Sequence, residues 1–207
     1  LLSRPYLFMV YFVSQASSVI KSIVHYELAV LVQASNPNPN DQVTYYGWMD
    51  LITNVLVVII SLTGTRKLIE LLNISKVLAL LPLVAFGCIA SLCVDYKLLT
   101  ATISYIVLQI VILTVEAPFQ ILYVRTSRDI KYKAKTWSDM FGANLMSILG
   151  TQINLWVNDE KASCFPNCFS PITTFILSGS WVMIWLSLAL TVGWQFQELD
   201  ARDDIIS

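Results

Sequence analysis

The chain has 207 residues, of which 56% are hydrophobic and only 13% are charged, and its mean hydropathy is +0.66. Soluble domains carry about 25% charged residues, so this composition excludes a water-covered surface and favours a membrane protein. The formal net charge of −1 offers no basic footprint for nucleic acid, whereas six Trp are typical of anchors at membrane interfaces.

Six apolar segments follow one another along the chain, and each can cross a hydrocarbon core of about 30 Å as a helix. They lack the short alternating pattern of a barrel, and a lipid-exposed backbone must satisfy its own hydrogen bonds. The sequence therefore predicts an all-α membrane protein, with a six-helix transmembrane bundle over residues 1–196 and an acidic cytoplasmic tail over 197–207. The predicted spans are 6–33, 45–64, 77–94, 98–122, 137–157 and 172–196.

The first span carries a polar face. Ser14, Ser18, Lys21 and His25 are spaced by four, three and four residues, which places them on one side of a helix. A cation near mid-span costs about 2.5 to 3.5 kcal/mol unless it faces a polar cavity, so Lys21 is either an anion-binding group in a transport path or half of a buried structural pair. His25 is either a proton-linked switch or a hydrogen-bonded structural residue. Glu27 lies on another face, where it either faces a loop or bridges helices.

Three later spans also carry polar stripes. Such stripes either converge on a wet cavity or act as hydrogen-bonding contacts between packed helices. The sequence predicts Asn54, Glu116 and Asn144 as substrate-binding residues beside Lys21 and His25. The stripes are Asp50 with Asn54 and Ser61, Gln109 with Glu116 and Gln120, and Asn144 with Ser147, Thr151 and Asn154.

Basic residues are distributed unevenly between alternate connections. One side of the predicted membrane receives ten of the 13 basic residues and the other receives only Lys97 and Lys161, which predicts that both termini are cytoplasmic. The ten are Arg4, Arg66, Lys67, Lys76, Arg125, Arg128, Lys131, Lys133, Lys135 and Arg202.

Motifs for chemistry are missing from the sequence. There is no nucleophile elbow, no phosphate-cradling glycine loop and no His/Cys cluster, so we expect neither an enzyme nor a bound cofactor or metal. Cys88 and Cys93 lie in an apolar span and are predicted to be packing residues. Cys164 and Cys168 fall in a predicted outer loop, where a disulfide can form if the compartment is oxidising.

One connection has a distinctive basic pattern. Tyr123 is followed by Lys131, Lys133 and Lys135, and then by Asp139 and Gly142. This pattern resembles the segment before the penultimate helix of the ATP/ADP translocases, the nucleotide transporter family of chlamydiae, rickettsiae and plastids. A second stretch is similar to the seventh helix of that family and the loop that follows it: Arg4-Pro5-Tyr6-Leu7, Asn38-Pro39-Asn40-Asp41 and Gly47.

The resemblance covers the whole chain and implies the C-terminal half of a twelve-helix carrier related to the major facilitator fold. It implies a nucleotide-binding antiporter in a bacterial inner membrane or an organelle membrane, partnered by an N-terminal half or a second subunit. The three lysines of the basic pattern either meet phosphates at the cytoplasmic mouth or serve only as topology determinants, and the second role is the stronger expectation.

The chain departs from the family pattern at several charged positions. His25 stands where family members carry an acidic residue, and Phe119 with Gln120 replaces a Lys-Glu pair. The substrate that the resemblance implies is therefore a nucleotide or a related anionic metabolite. Two alternatives remain, which are a non-transporting membrane subunit with a decayed site and a proton-coupled carrier of another solute that uses His25 and Glu116.

Overall fold

The computed structural model describes residues 5–63, 74–122, 136, 141–158 and 171–202. These ranges are almost entirely helical and contain no strand, which confirms the predicted all-α class. The helices of these ranges are α1 (Pro5–Gln15), α2 (Ser17–Ser35), α3 (Pro39–Thr63), α4 (Ile74–Val94), α5 (Leu98–Leu122), α6 (Ala143–Asn158) and α7 (Pro171–Arg202).

Among the described helices, four are long and apolar enough to cross a membrane. They coincide with the predicted second, third, fourth and sixth spans, and the chain is a multi-pass membrane protein. The count of six spans stays a prediction, because the first predicted span is divided into two helices and the described part of α6 has 16 residues. The four segments are Pro39–Ile60, Ser75–Val94, Leu98–Glu116 and Ile172–Leu199.

Helix α3 begins at Pro39, six residues before the predicted start of the second span at residue 45. The side chain of Asn38 accepts a hydrogen bond from the backbone N–H of Asn40 (3.3 Å) and so caps the helix. Proline is favoured at the first helical position, and Asp41 in the first turn complements the helix dipole. Local signals in the predicted turn therefore start the helix earlier than the apolar pattern alone indicated.

The first predicted span is interrupted at Ala16, between α1 and α2. Ala16 keeps helical dihedral angles (φ −59°, ψ −27°), but its carbonyl is bonded by the N–H three residues later, that of Val19 (3.3 Å). Two indole N–H groups of α7 satisfy carbonyls at this interruption: Trp181 donates to Ala16 (3.2 Å) and Trp185 donates to Val13 (2.9 Å). The interruption is therefore held by α7 through these two hydrogen bonds.

Helix α2 lies at the centre of the bundle. It contacts α1, α4, α5 and α6, while α4 packs between α5 and α7. The fully buried side chains are mostly branched and aromatic, so the core is filled by shape rather than by polar contacts. These side chains include Ile20, Ile23, Leu28, Leu78, Leu81, Ile89, Leu108 and Trp185.

The contact between α2 and α6 depends on small residues. A Cβ atom added to Gly150 would lie 2.7 Å from the carbonyl oxygen of Val19 and 2.8 Å from Cβ of Ser22, so the backbones approach as only glycine permits. The hydroxyls of Ser22 and Ser147 are hydrogen-bonded at 3.0 Å, and Nδ2 of Asn154 donates to the Ser22 carbonyl (3.3 Å). Two residues of the predicted fifth-span stripe therefore serve helix packing.

Helix α3 lies at the periphery. Among the described helices it contacts α5 most, and only 11% of its most apolar stretch is buried. Large apolar side chains such as Leu51, Val55, Val58 and Leu62 are exposed around it. A soluble monomer rarely exposes so continuous an apolar surface, so lipid is the environment that this helix requires.

Candidate functional site

An aromatic and polar cluster lies where α2, α3 and α5 meet. The ring of His25 stacks on Tyr46 of α3, with centroids 6.4 Å apart and planes at 24°. The same ring also meets Tyr105 of α5 at 5.6 Å and 54°. With the residues one helical turn from these three, the group is called the His25 cluster, and it comprises Lys21, His25, Tyr46, Asp50, Tyr105 and Gln109.

Two hydrogen bonds, one at each end, show how the α1–α2 segment packs against α5. Tyr6 in α1 donates its hydroxyl to the carbonyl of Leu122 at the end of α5 (3.3 Å). At the other end, Tyr96 just before α5 donates to Oε2 of Glu27 in α2 (2.8 Å). The α1–α2 segment and α5 therefore run in opposite directions along each other.

The cluster consists of three pairs of residues, and the members of each pair are four positions apart on one helix. One turn below the contact of His25 with Tyr105, the antiparallel packing places Lys21 on α2 and Gln109 on α5 at the same level. Nε2 of Gln109 donates to the Tyr105 hydroxyl (3.2 Å), which orients both side chains. Asp50 follows Tyr46 by one turn of α3 and lies within electrostatic range of both His25 and Tyr105.

Two residues of opposite charge lie near the His25 ring. Lys21 and Asp50 are both within electrostatic range of it. Lys21 is partly buried, whereas His25 and Asp50 are exposed on the surface of the described helices. The cluster thus presents a cation, an acid, an imidazole and phenol groups on an open face rather than inside a sealed core.

Lys21 makes no ion pair with the described part of the chain. A buried structural pair was one interpretation of this residue, and no described acid fills that role. Lys21 lies 16 residues after Pro5 and 14 before Ser35, so each end of the α1–α2 segment is about 20 to 25 Å away along the axis. The ammonium is therefore near the middle of the segment and on its polar face.

The other predicted site residues are distributed along the bundle. Asn54 is exposed one turn beyond Asp50, so it extends the cluster on α3. Glu116 is exposed seven residues after Gln109, about 10 Å further along α5. Asn144 is exposed in the first turn of α6.

Asn144 follows Gly142, which packs against Tyr11 and Gln15 of α1. Asn144 and Glu116 are therefore nearer the α1 end of the bundle than the cluster is. The predicted lysines 131, 133 and 135 lie outside the described residues, as do Cys164 and Cys168. Within the described ranges, no three His, Cys, Asp or Glu side chains are grouped closely enough to hold a metal ion.

Glu27 makes a buried polar contact outside the His25 cluster, and its side chain is only 2% exposed. It accepts the hydrogen bond from Tyr96, which lies in the connection between α4 and α5, so Glu27 faces that connection, as the loop-facing alternative predicted. Burial and the adjacent Glu27 carboxylate raise the pKa of Tyr96 above its usual 10.0. The phenol therefore stays protonated and remains a donor to the carboxylate.

Sequence reasoning left Tyr46 and Tyr105 out of the predicted site. Both look like ordinary apolar or interfacial residues in an apolar segment, and only their contact with His25 distinguishes them. A usable signal was the repeated spacing, since each tyrosine precedes a polar residue by one turn, Asp50 in α3 and Gln109 in α5. Three such pairs on three predicted helices indicate a common polar level.

The fold and its exposed surface define an all-α, multi-pass membrane protein with a polar cluster where α2, α3 and α5 meet. No protein-family model, no characterised protein sequence and no solved structure matches this chain. The resemblance to nucleotide transporters therefore depends on the motif residues alone.

Proposed function

We propose that the chain belongs to a membrane carrier that moves nucleotides or related anionic metabolites, with the His25 cluster as part of its substrate site. The observation that carries this proposal is Lys21, a cation near the middle of a polar helix face that makes no ion pair with the described residues. An ionisable residue at such a depth is costly unless it serves a polar pathway or an anion.

The neighbours of Lys21 suit a phosphorylated aromatic substrate. The ammonium of Lys21 is a donor for phosphate oxygens, and His25 can add a second donor. The rings of Tyr46 and Tyr105 offer aromatic faces against which a base can stack. Asp50 supplies a counter-charge when no anion is bound, and Glu116 acts as a counter-charge or gate nearer the α1 end.

The open face of the cluster requires a cover during transport. In carriers that rock two bundles against each other, the substrate site lies near the bilayer midplane between the bundles. We propose that a second helical unit, either an N-terminal half of the same carrier or a separate subunit, covers the face that carries Lys21, Asn54, Glu116 and Asn144. Antiport between nucleotides is the mode that the resemblance implies.

Uptake into proteoliposomes tests this function. The chain alone and the carrier that includes its covering unit are reconstituted in parallel with a panel of labelled nucleotides, each as wild type and Lys21→Ala. We expect uptake only by the covered carrier, and a loss of about tenfold or more with Lys21→Ala, as for one charge-assisted hydrogen bond. Lys76→Ala is the matched control, since Lys76 is exposed in the first turn of α4. Robust transport by the chain alone, or full activity without Lys21, contradicts the proposal.

The proposed orientation places both termini on the cytoplasmic side of a bacterial inner membrane or an organelle membrane, from the distribution of basic residues. Single cysteines near Asn38 and Lys161 should react with an impermeant thiol reagent from outside, in a background without the native cysteines. A cysteine near Lys131 should react only after the membrane is opened. Labelling near Lys131 in sealed vesicles refutes this orientation.

A proton-coupled carrier is the second candidate, favoured by His25, which is exposed on the open face within electrostatic range of Lys21 and Asp50. Imidazole is the side chain whose ordinary pKa suits proton exchange near neutral pH. Uptake driven by an imposed pH gradient, and lost in His25→Asn while nucleotide exchange persists, identifies this mode. Gradient-independent exchange that His25→Asn leaves unchanged rejects it.

A further inference from the structure

A groove of about 530 Å³ lies between α3 and α5, on a different face of α3 from the His25 cluster. The Tyr45 hydroxyl is hydrogen-bonded to the Thr102 hydroxyl and joins the two helices there. The volume is in the range of small-molecule sites. The described residues lining it are Asn36, Asp41, Thr44, Tyr45, Trp48, Met49, Ile52, Thr102 and Ile106.

Polarity changes along this groove in one direction. Asn36, Asp41 and Thr44 lie at the end where α3 begins, and Met49 with Ile52 lies at the other end. The distance from residue 41 to residue 52 along α3 is about 16 Å. Half of a hydrocarbon core is about 15 Å thick, so the gradient matches one leaflet of a bilayer.

The lining also carries a single sign of charge. Among the described lining residues, Asp41 is the one ionisable acid, and none is Lys or Arg. Trp48 is 63% exposed one turn beyond Thr44 and about 10 Å from Asp41 along α3, where its ring can lie against an acyl chain. The Asp41 carboxylate therefore favours an ammonium group and repels an anionic headgroup.

We propose that this groove binds one phospholipid whose headgroup carries an ammonium, such as phosphatidylethanolamine. The ammonium donates to the Asp41 carboxylate, while an acyl chain follows Trp48, Ile52 and Ile106 towards the middle of the bilayer. This lipid fills the space left by the sparse packing of α3 and tethers α3 to α5. The site is separate from the His25 cluster and independent of the carrier function.

Native mass spectrometry of the detergent-purified chain tests the headgroup preference. Phosphatidylethanolamine and phosphatidylglycerol with identical acyl chains are offered in competition. We expect about a tenfold preference for phosphatidylethanolamine, the ratio that one charge-assisted hydrogen bond produces. Asp41→Asn should bring the ratio to about one, and Trp48→Ala should weaken retention of both lipids.

Matched controls separate this site from general lipid contact. Trp194 on α7 is also 63% exposed, and Asp95 is an acid in the α4–α5 connection, so Trp194→Ala and Asp95→Asn should leave the preference intact. Phosphatidylethanolamine with a photoactivatable acyl chain should crosslink the wild-type chain within α3 and α5, a readout that needs no variant. Equal binding of both lipids by the wild type, an equal loss with Trp194→Ala, or crosslinks spread over α4 and α7 would overturn the proposal.

Discussion

Lys21 and Ser22 are neighbours in sequence and belong to two different environments. Ser22 faces α6, where its hydroxyl bonds Ser147 and its carbonyl accepts from Asn154, so its polar groups are satisfied within the bundle. Lys21 lies on the face that carries His25, where no described acid pairs with it. One polar face of α2 holds helices together and the other remains available to a solute. The comparison shows that a polar residue in an apolar helix indicates function only when its partners are known.

The contact between α2 and α6 should be most sensitive to substitution at Gly150. Gly150→Ala places a methyl group against the Val19 carbonyl, a backbone atom that cannot move aside easily, and should destabilise the fold by about 1–3 kcal/mol. SDS titration of the protein in mild detergent measures the loss. Gly87→Ala is the control, because a Cβ there meets nothing within 4 Å and helix propensity favours alanine. Equal stability of the two variants would show that α2 and α6 do not approach so closely.

The α1–α2 interruption should depend on the indole N–H of Trp185. Trp185→Phe keeps an aromatic ring but leaves the buried Val13 carbonyl without its donor, at an expected loss of about 1–3 kcal/mol. The same unfolding assay applies. The exposed Trp194→Phe should change stability by less than about 0.5 kcal/mol. A neutral Trp185→Phe would mean that the interruption satisfies its own carbonyls.

Substitutions of the adjacent residues Lys21 and Ser22 on α2 should separate effects on stability from effects on function. Ser22→Ala removes one interhelical hydrogen bond and should cost about 0.6 kcal/mol, with nucleotide uptake by the covered carrier unchanged. Lys21→Ala should change stability by less than about 0.5 kcal/mol and abolish most of that uptake. Unfolding and uptake measured on the same preparations test both. If Lys21→Ala unfolds the protein while Ser22→Ala does not, the roles of the two faces are reversed.

The smallest effect should come from the exposed pair in the α4–α5 connection. Asp95 bonds Lys97 at 2.8 Å and accepts from Thr100, and the hydrogen bond from Lys97 is the main reason that the pKa of Asp95 lies below its usual value of 3.8. A lowered carboxyl pKa adds stability at neutral pH, and this contribution is lost as the pH falls through the folded-state pKa. Asp95→Asn should therefore lower Tm slightly at about pH 7 and leave it unchanged at about pH 2. An equal shift of Tm at both pH values would mean that the Asp95 charge plays no part.

The part of the fold that can be predicted from the sequence follows from the length of the apolar segments and from the helical period. Four of the predicted spans coincide with described apolar helices, because crossing a membrane requires about 20 apolar residues and satisfies the backbone only as a helix. The start of α3 at Pro39 was missed because its Asn38 cap lies in a polar stretch. The interruption at Ala16 was missed because both sides of it are equally apolar and the indoles that hold it come from α7, more than 160 residues away.

By itself, the sequence determined that this is a membrane protein and that Lys21 and His25 share a helix face, since both follow from composition and from 3.6 residues per turn. The tertiary structure decided which polar groups are already bonded to one another. It bonded Ser147 and Asn154 to α2, buried Glu27 under Tyr96, and brought Tyr46 and Tyr105 to the His25 ring. Periodicity fixes the side of a helix on which a residue lies, but only packing chooses the neighbour on that side.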